Sequence, residues 1–172
     1  MPVRRLNHAV LFVRDVRASV AFYAEVLDFA PIEGMDGLTG AAFLRAPSST
    51  NDHDLGLFEI GAAAGPSGAG RSTVGLYHLA WEVDTLAELA RVRDALQTAG
   101  ALVGASDHAT TKALYAHDPD GLEFEVSWLL PADRITPEVR AQGATTGPLD
   151  LDAEIARYGA QTRGGVGVSV RA

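Results

Sequence analysis

The chain has 172 residues, 47% of them apolar, enough to bury a core as one domain or as two small fused modules. Its 14 basic and 22 acidic residues leave a net charge of -8, which argues against nucleic acid or an anionic membrane as partner and leaves small neutral or aromatic molecules open. There is no cysteine, so disulfides and thiolate ligands are excluded and any bound metal must be held by nitrogen and oxygen, a donor set suited to iron, manganese, nickel, cobalt or zinc.

In chain order, Met1-Pro2-Val3-Arg4-Arg5 leads into a strand without a signal-peptide pattern, and no apolar stretch approaches the roughly 20 residues that span a bilayer, so a soluble cytoplasmic protein is expected. The first strand covers residues 6–13. A helix over 16–27 follows, with Val16, Val20, Tyr23 and Leu27 at helical spacing and Asp15 as its N-cap. Strands are predicted near 30–33, 41–45 and 54–60. Residues 61–75 are rich in Gly, Ala and Ser and read as a linker. The order then repeats: a strand over 76–83, a helix over 86–99 capped by Asp84 or Thr85 and ended by Gly100, and strands near 102–105, 113–117 and 122–129. Asp118-Pro119-Asp120-Gly121 is a tight-turn signal between the last two strands and helps set their register. Beyond Pro131 the pattern weakens, with short helices at 137–141 and 150–158 expected to pack over the outside or on a partner subunit. The predicted class is α+β: one domain over 1–130, made of module one (4–60), the linker and module two (76–130), plus a C-terminal extension (131–172).

The repeat carries chemistry. Leu6-Asn7-His8 and Leu76-Tyr77-His78 open the two units, and superposing them puts His8 on His78 and Val13 on Val83. Side chains alternate along a strand, so His8, Val10 and Phe12 share one face of the first, and His78, Ala80 and Glu82 one face of the second. Imidazoles on symmetry-related strands can converge on a metal, and a third ligand is then sought late in the second unit. Glu125 is the candidate, facing away from Phe124 and Val126. The bland alternative, two satisfied core histidines and a solvated glutamate, does not account for the matched register with a carboxylate downstream.

A βαβββ unit used twice, with His8, His78 and Glu125 in these places, resembles the vicinal oxygen chelate superfamily of glyoxalases, bleomycin-resistance proteins and type I extradiol dioxygenases, over roughly residues 4 to 130. Within it, Asn51-Asp52-His53-Asp54-Leu55-Gly56-Leu57-Phe58 and Ala113-Leu114-Tyr115-Ala116-His117-Asp118-Pro119-Asp120-Gly121 are similar to catechol 2,3-dioxygenase-like members. The resemblance implies two βαβββ modules forming a cupped mixed sheet around a metal held by His8, His78 and Glu125. It implies His53 as an acid/base histidine and Tyr115, ten residues before Glu125 (125 − 115 = 10), as a substrate-binding tyrosine. The implied activity is extradiol cleavage of a catecholic aromatic by O2 with Fe(II), or with Mn(II) or another divalent metal, in a homodimer or higher homo-oligomer. His108 is expected to border the substrate pocket, whose wall is expected over residues 34–40, the linker and the tail, and His117 to lie on the surface. Glu59 is a competing fourth ligand, because Leu57-Phe58-Glu59-Ile60 can be laid over Glu123-Phe124-Glu125-Val126. With Glu59 at the metal, a glyoxalase-type lyase or isomerase follows. Without any metal, the same cup suits a protein that sequesters an aromatic antibiotic, and a vestigial regulatory module is a further alternative.

Overall fold

The computed structural model describes residues 2–3, 5–33, 38–69, 72–142 and 145–165. Of the expected pocket wall, residues 34–37, 70–71, 143–144 and 166–172 therefore lie outside the described residues. The chain forms two compact units, Met1–Gly68 with Asp118–Gly121, and Ala69–His117 with Leu122–Ala172. Each is a mixed sheet with a helix against one face.

Unit one contains β1 (Ala9–Val13), α1 (Val16–Leu27), β2 (Ala30–Pro31), β3 (Ala41–Arg45) and β4 (Leu55–Glu59), in sheet order β1-β4-β3-β2. Asp15 caps α1 as its sequence position predicts, accepting from the N–H groups of Arg17 and Ala18. The buried stripe of α1 is Ser19, Tyr23, Val26 and Leu27, rotated from the Val16/Val20 line, and the buried Ser19 satisfies its hydroxyl by donating to the Asp15 carbonyl. Asp28 ends the helix in the left-handed region, its N–H bonded to Ala24 O, and Phe29 N–H reaches Tyr23 O. Val13, Tyr23, Val26, Phe29, Leu44, Leu55 and Leu57 form the core. The turn at 118–121 belongs to this unit: Asp120 accepts from Arg14 N–H and from its guanidinium, and Asp118 from the buried Tyr23 hydroxyl. Burial, reinforced by the Asp118 charge, pushes that phenol well above its ordinary pKa.

Unit two contains β5 (Leu79–Glu82), α2 (Leu86–Thr98), β6 (Leu102–Asp107), β7 (Thr111–His117), β8 (Glu123–Leu129), α3 (Pro137–Gln142), β9 (Gly147–Pro148) and α4 (Leu151–Tyr158), with a short 3-10 turn at Ala132–Arg134. Its sheet order is β5-β8-β7-β6-β9. Of the two cap candidates, Thr85 is the residue whose side chain takes the Glu88 N–H. Leu86, Leu89, Val92 and Leu96 of α2 meet Leu114, Phe124, Val126 and Trp128 in the core. The C-terminal extension packs on its own unit: β9 pairs with β6, α4 lies against α2, and Trp128 donates its indole N–H to Thr162 O. Lys112 is buried there between two carboxylates, Asp107 at 2.6 Å and Glu154 at 2.9 Å.

In both units the first strand of the βαβββ module runs parallel to its fourth, β1 with β4 and β5 with β8, and the remaining pairs, β6 with β9 included, are antiparallel. Val10 pairs with Gly56, and Ala80 pairs with Glu125. With His8 matched to His78, Val10 matches Ala80, so the unit-one counterpart of Glu125 is Gly56. The sequence overlay that put Glu59 there is displaced by three residues (59 − 56 = 3).

Candidate functional site

Unit two supplies the densest chemistry. His78 stands one residue before β5, and Glu123 and Glu125 project from the adjacent β8, on the face opposite Phe124, Val126 and Trp128. His78 Nε2 is 3.3 Å from Glu125 Oε2, and His78 Nδ1 is 3.5 Å from Glu123 Oε1. Two ligands about 2.1 Å from an ion and at right angles to it stand about 3.0 Å apart, so Nε2 and the Glu125 oxygen are spaced as neighbouring ligands. Buried His78 Nδ1 has no hydrogen-bond partner among the described residues, and the Glu123 carboxylate at 3.5 Å is the nearest acidic group on that side, suited by charge to orienting the ring. That role escaped the sequence reading, although Glu123 shares the parity of Glu125. The exposed His117 approaches the other Glu123 oxygen at 3.8 Å.

Tyr115 pairs directly with Glu125 across β7 and β8. Its ring centroid is 5.9 Å from that of His78, and its hydroxyl is 3.0 Å from His108 Nε2. Burial, with the charge of Glu125 adding most to it and Glu123 adding less, raises the phenol above its ordinary pKa, so it is a neutral O–H at physiological pH. Tyr115, His108, His78 and Glu125 thus form one polar cluster in this unit.

Unit one holds the other two histidines. The His8 and His53 rings lie 4.4 Å apart between centroids, and Phe43 meets His53 edge-on at 5.0 Å. Asn7 Oδ1 sits 2.7 Å from His8 Nδ1, a contact that favours the proton on Nδ1 and the lone pair on Nε2. The flanking residues of His53, which read as an ordinary exposed turn, are a built bracket. Asp54 is buried and accepts from Ala46 N–H, the Ser49 hydroxyl and the Asn51 amide, while Asn51 also reaches Asn7 O. Arg5 donates to the Asn51 side-chain oxygen. Burial alone would raise the Asp54 pKa, but the three hydrogen bonds, with help from Arg45, hold it below the ordinary carboxylate value. The bracket ties the 51–54 turn to the residue before His8, and so sets His53 beside it.

Glu59 does not join these groups. It has the parity of Leu55 and Leu57, the fully buried residues on the helix side of β4, and its carboxylate accepts the Val16 N–H at the start of α1. Gly56, at the repeat-matched position, has the Phe43 ring and the Val10 methyl 3.4 Å from where a Cβ would stand. Among the described residues, no group of three or more His, Asp or Glu side chains is gathered as a metal cage. No helix among them is long and apolar enough to cross a membrane.

The model of the Glyoxalase/Bleomycin resistance protein/Dioxygenase superfamily matches residues 5–126. A catechol-2,3-dioxygenase of Bacillus subtilis (strain 168) is 31% identical over 124 residues, which are 70% of this chain and 40% of that protein. The chain thus spans about two fifths of the curated relative it matches. Among solved structures, a glyoxylase/bleomycin resistance protein/dioxygenase domain from Frankia sp. EAN1pec superposes with a TM-score of 0.61 at 24% identity, covering 73% of this chain and 92% of that one. The fosfomycin resistance protein FosX from Mesorhizobium loti superposes with a TM-score of 0.55 at 18% identity, covering 78% and 100%. These two likenesses show the fold, two βαβββ modules in α+β arrangement. From the family match across most of its length, the chain belongs to the Glyoxalase/Bleomycin resistance protein/Dioxygenase superfamily.

Proposed function

We propose that the chain is a divalent-metal-dependent extradiol dioxygenase that opens the ring of a small catecholic aromatic with O2. Its ligands are His8, His78 and Glu125. The metal is Fe(II), with Mn(II) or another divalent ion as the alternative, and the working form is a homo-oligomer. The observation that carries the reading is the spacing of His78 and Glu125 with Tyr115 paired beside them. The identity to a catechol-2,3-dioxygenase supports it.

When bound, the ion supplies Lewis acidity and open positions that bring the vicinal oxygens of a catechol and dioxygen together. Glu123, whose carboxylate lies 3.5 Å from His78 Nδ1, would take up the orienting contact on that side of the ring and leave Nε2 for the ion. Tyr115 meets a substrate oxygen as a neutral phenol backed by His108. His53, beside His8 and held by the Asn51–Asp54 bracket, takes the proton of a substrate hydroxyl and returns it as the ring opens, a task suited to an imidazole. Phe43, edge-on to His53 at 5.0 Å, would shield one side of that imidazole.

A glyoxalase-type reaction needs a second carboxylate at the repeat-matched position, and Gly56 occupies that position here. The deciding experiment is anaerobic reconstitution with Fe(II), then oxygen uptake and near-visible absorbance with a panel of catechols. Oxygen consumption with a yellow ring-opened product supports the dioxygenase. Stoichiometric iron without uptake overturns it in favour of a lyase or isomerase, and no metal binding leaves an aromatic-sequestering protein.

A further inference from the structure

His108 is held from both ends within unit two. Its Nε2 faces the Tyr115 hydroxyl at 3.0 Å, and its Nδ1 faces the Thr145 carbonyl and the Thr146 hydroxyl, each at 3.2 Å. The two threonines belong to the C-terminal extension, just before β9, where Gly147 and Pro148 pair with Asp107 and Ser106. A neutral imidazole carries one N–H, and a carbonyl can only accept. With the proton on Nδ1, both threonine oxygens accept and Nε2 receives the Tyr115 O–H, so every group around His108 is satisfied, Glu125 being the other acceptor within reach of that O–H. With the proton on Nε2, the Thr146 hydroxyl can donate to Nδ1, but the Thr145 carbonyl faces a bare lone pair. The first arrangement has lower energy.

We infer that Thr145 and Thr146 are positioning residues that hold His108 as its Nδ1–H tautomer, so that the Tyr115 O–H donates a hydrogen bond to His108 and the phenol meets the ligand with its oxygen lone pairs. Tyr115 then selects a substrate oxygen that still bears hydrogen, taking a hydrogen bond rather than giving one. Glu125 competes for the same phenol proton in the metal-free chain and is withdrawn from that competition once it serves as a ligand. This deepens the dioxygenase reading and rests on it for the ligand, while the tautomer itself is a property of the metal-free chain.

The test has two arms. In the first, the metal-free full chain is labelled with 15N-histidine, and long-range nitrogen–proton correlation identifies the His108 pattern by its loss in His108→Gln. The expected pattern is Nδ1-protonated. Thr146→Val keeps it, because the Thr145 carbonyl remains, and Tyr115→Phe keeps it while the Nε2 resonance moves toward that of an unbonded imidazole nitrogen. An Nε2-protonated pattern, or a flip in Thr146→Val, overturns the inference. In the second arm, the metal-loaded wild type and Tyr115→Phe are titrated with catechol and, at a pH above its second ionisation, with 4-nitrocatechol, which then binds as a dianion and has no hydroxyl hydrogen to donate. Tyr115→Phe is expected to weaken catechol about tenfold, the worth of one hydrogen bond, and to leave nitrocatechol within about twofold. Equal losses for both ligands overturn the acceptor role. If neither catechol binds, the dioxygenase reading and its ligand selection fall together, while the tautomer result still decides the positioning role.

Discussion

Glu123 and His53 show how a residue acquires its task from its neighbours. With the Glu123 carboxylate 3.5 Å from His78 Nδ1, Glu123→Gln removes the charge proposed to orient the ring, and metal affinity should fall by about 10- to 100-fold with little change in fold. Titration with Mn(II), followed calorimetrically against the wild type, measures the loss. His53 is no ligand in the proposed site, so His53→Ala should retain the metal and lose turnover by about 10²- to 10⁴-fold, the usual worth of a positioned acid or base. Undiminished oxygen uptake by that variant would remove His53 from the mechanism. Both residues were visible in the sequence. The assignment of His53 came from a family pattern, whereas the Glu123 contact depends on how far a histidine on one strand can reach toward the next, which strand parity does not specify.

The elements follow local rules closely, and their caps and turns are open to direct measurement. Asp15 satisfies two N–H groups at the start of α1, so Asp15→Ala should cost about 1 kcal/mol in urea unfolding. The 46–54 loop depends on Asp54 in a way that responds to pH. Its folded pKa lies below the unfolded one, so its contribution is fully present above the ordinary carboxylate range and is lost as pH falls through the folded value. Asp54→Asn should therefore be least stable relative to wild type near neutrality, with the gap closing as pH drops from about 7 to about 3. A gap that stays constant with pH would show that the loop is held without the ionised carboxylate. The elements themselves were legible because α1 and α2 carry apolar stripes with caps, and β8 alternates Phe124, Val126 and Trp128 inward against Glu123 and Glu125. The bracket was not legible, since Asn, Asp and Ser in a row read equally well as a solvated turn until Asp54 is seen to be buried.

At the scale of the whole chain, a resident metal couples binding to stability. An ion that binds only the folded state at about 100 times its dissociation constant adds about 2.7 kcal/mol, which in a chain of this size raises the thermal midpoint by roughly 5 to 10 °C. Differential scanning with and without Mn(II), and again with a chelator, checks this, and an unchanged midpoint would count against a metal centre. The sequence alone determined the repeated βαβββ order, the Asp15 cap of α1 and the turn at 118–121, and the matched pair His8 and His78, because hydrophobic period, capping chemistry and spacing are local properties of the chain. Tertiary structure decided what depends on pairing between distant strands. The β1–β4 and β5–β8 registers put Gly56, not Glu59, in the place of Glu125, and the return of the C-terminal segment to β6 brings Thr145 to His108. A shift in register changes which side chains share a face, and overlaying two short sequences cannot distinguish one register from another.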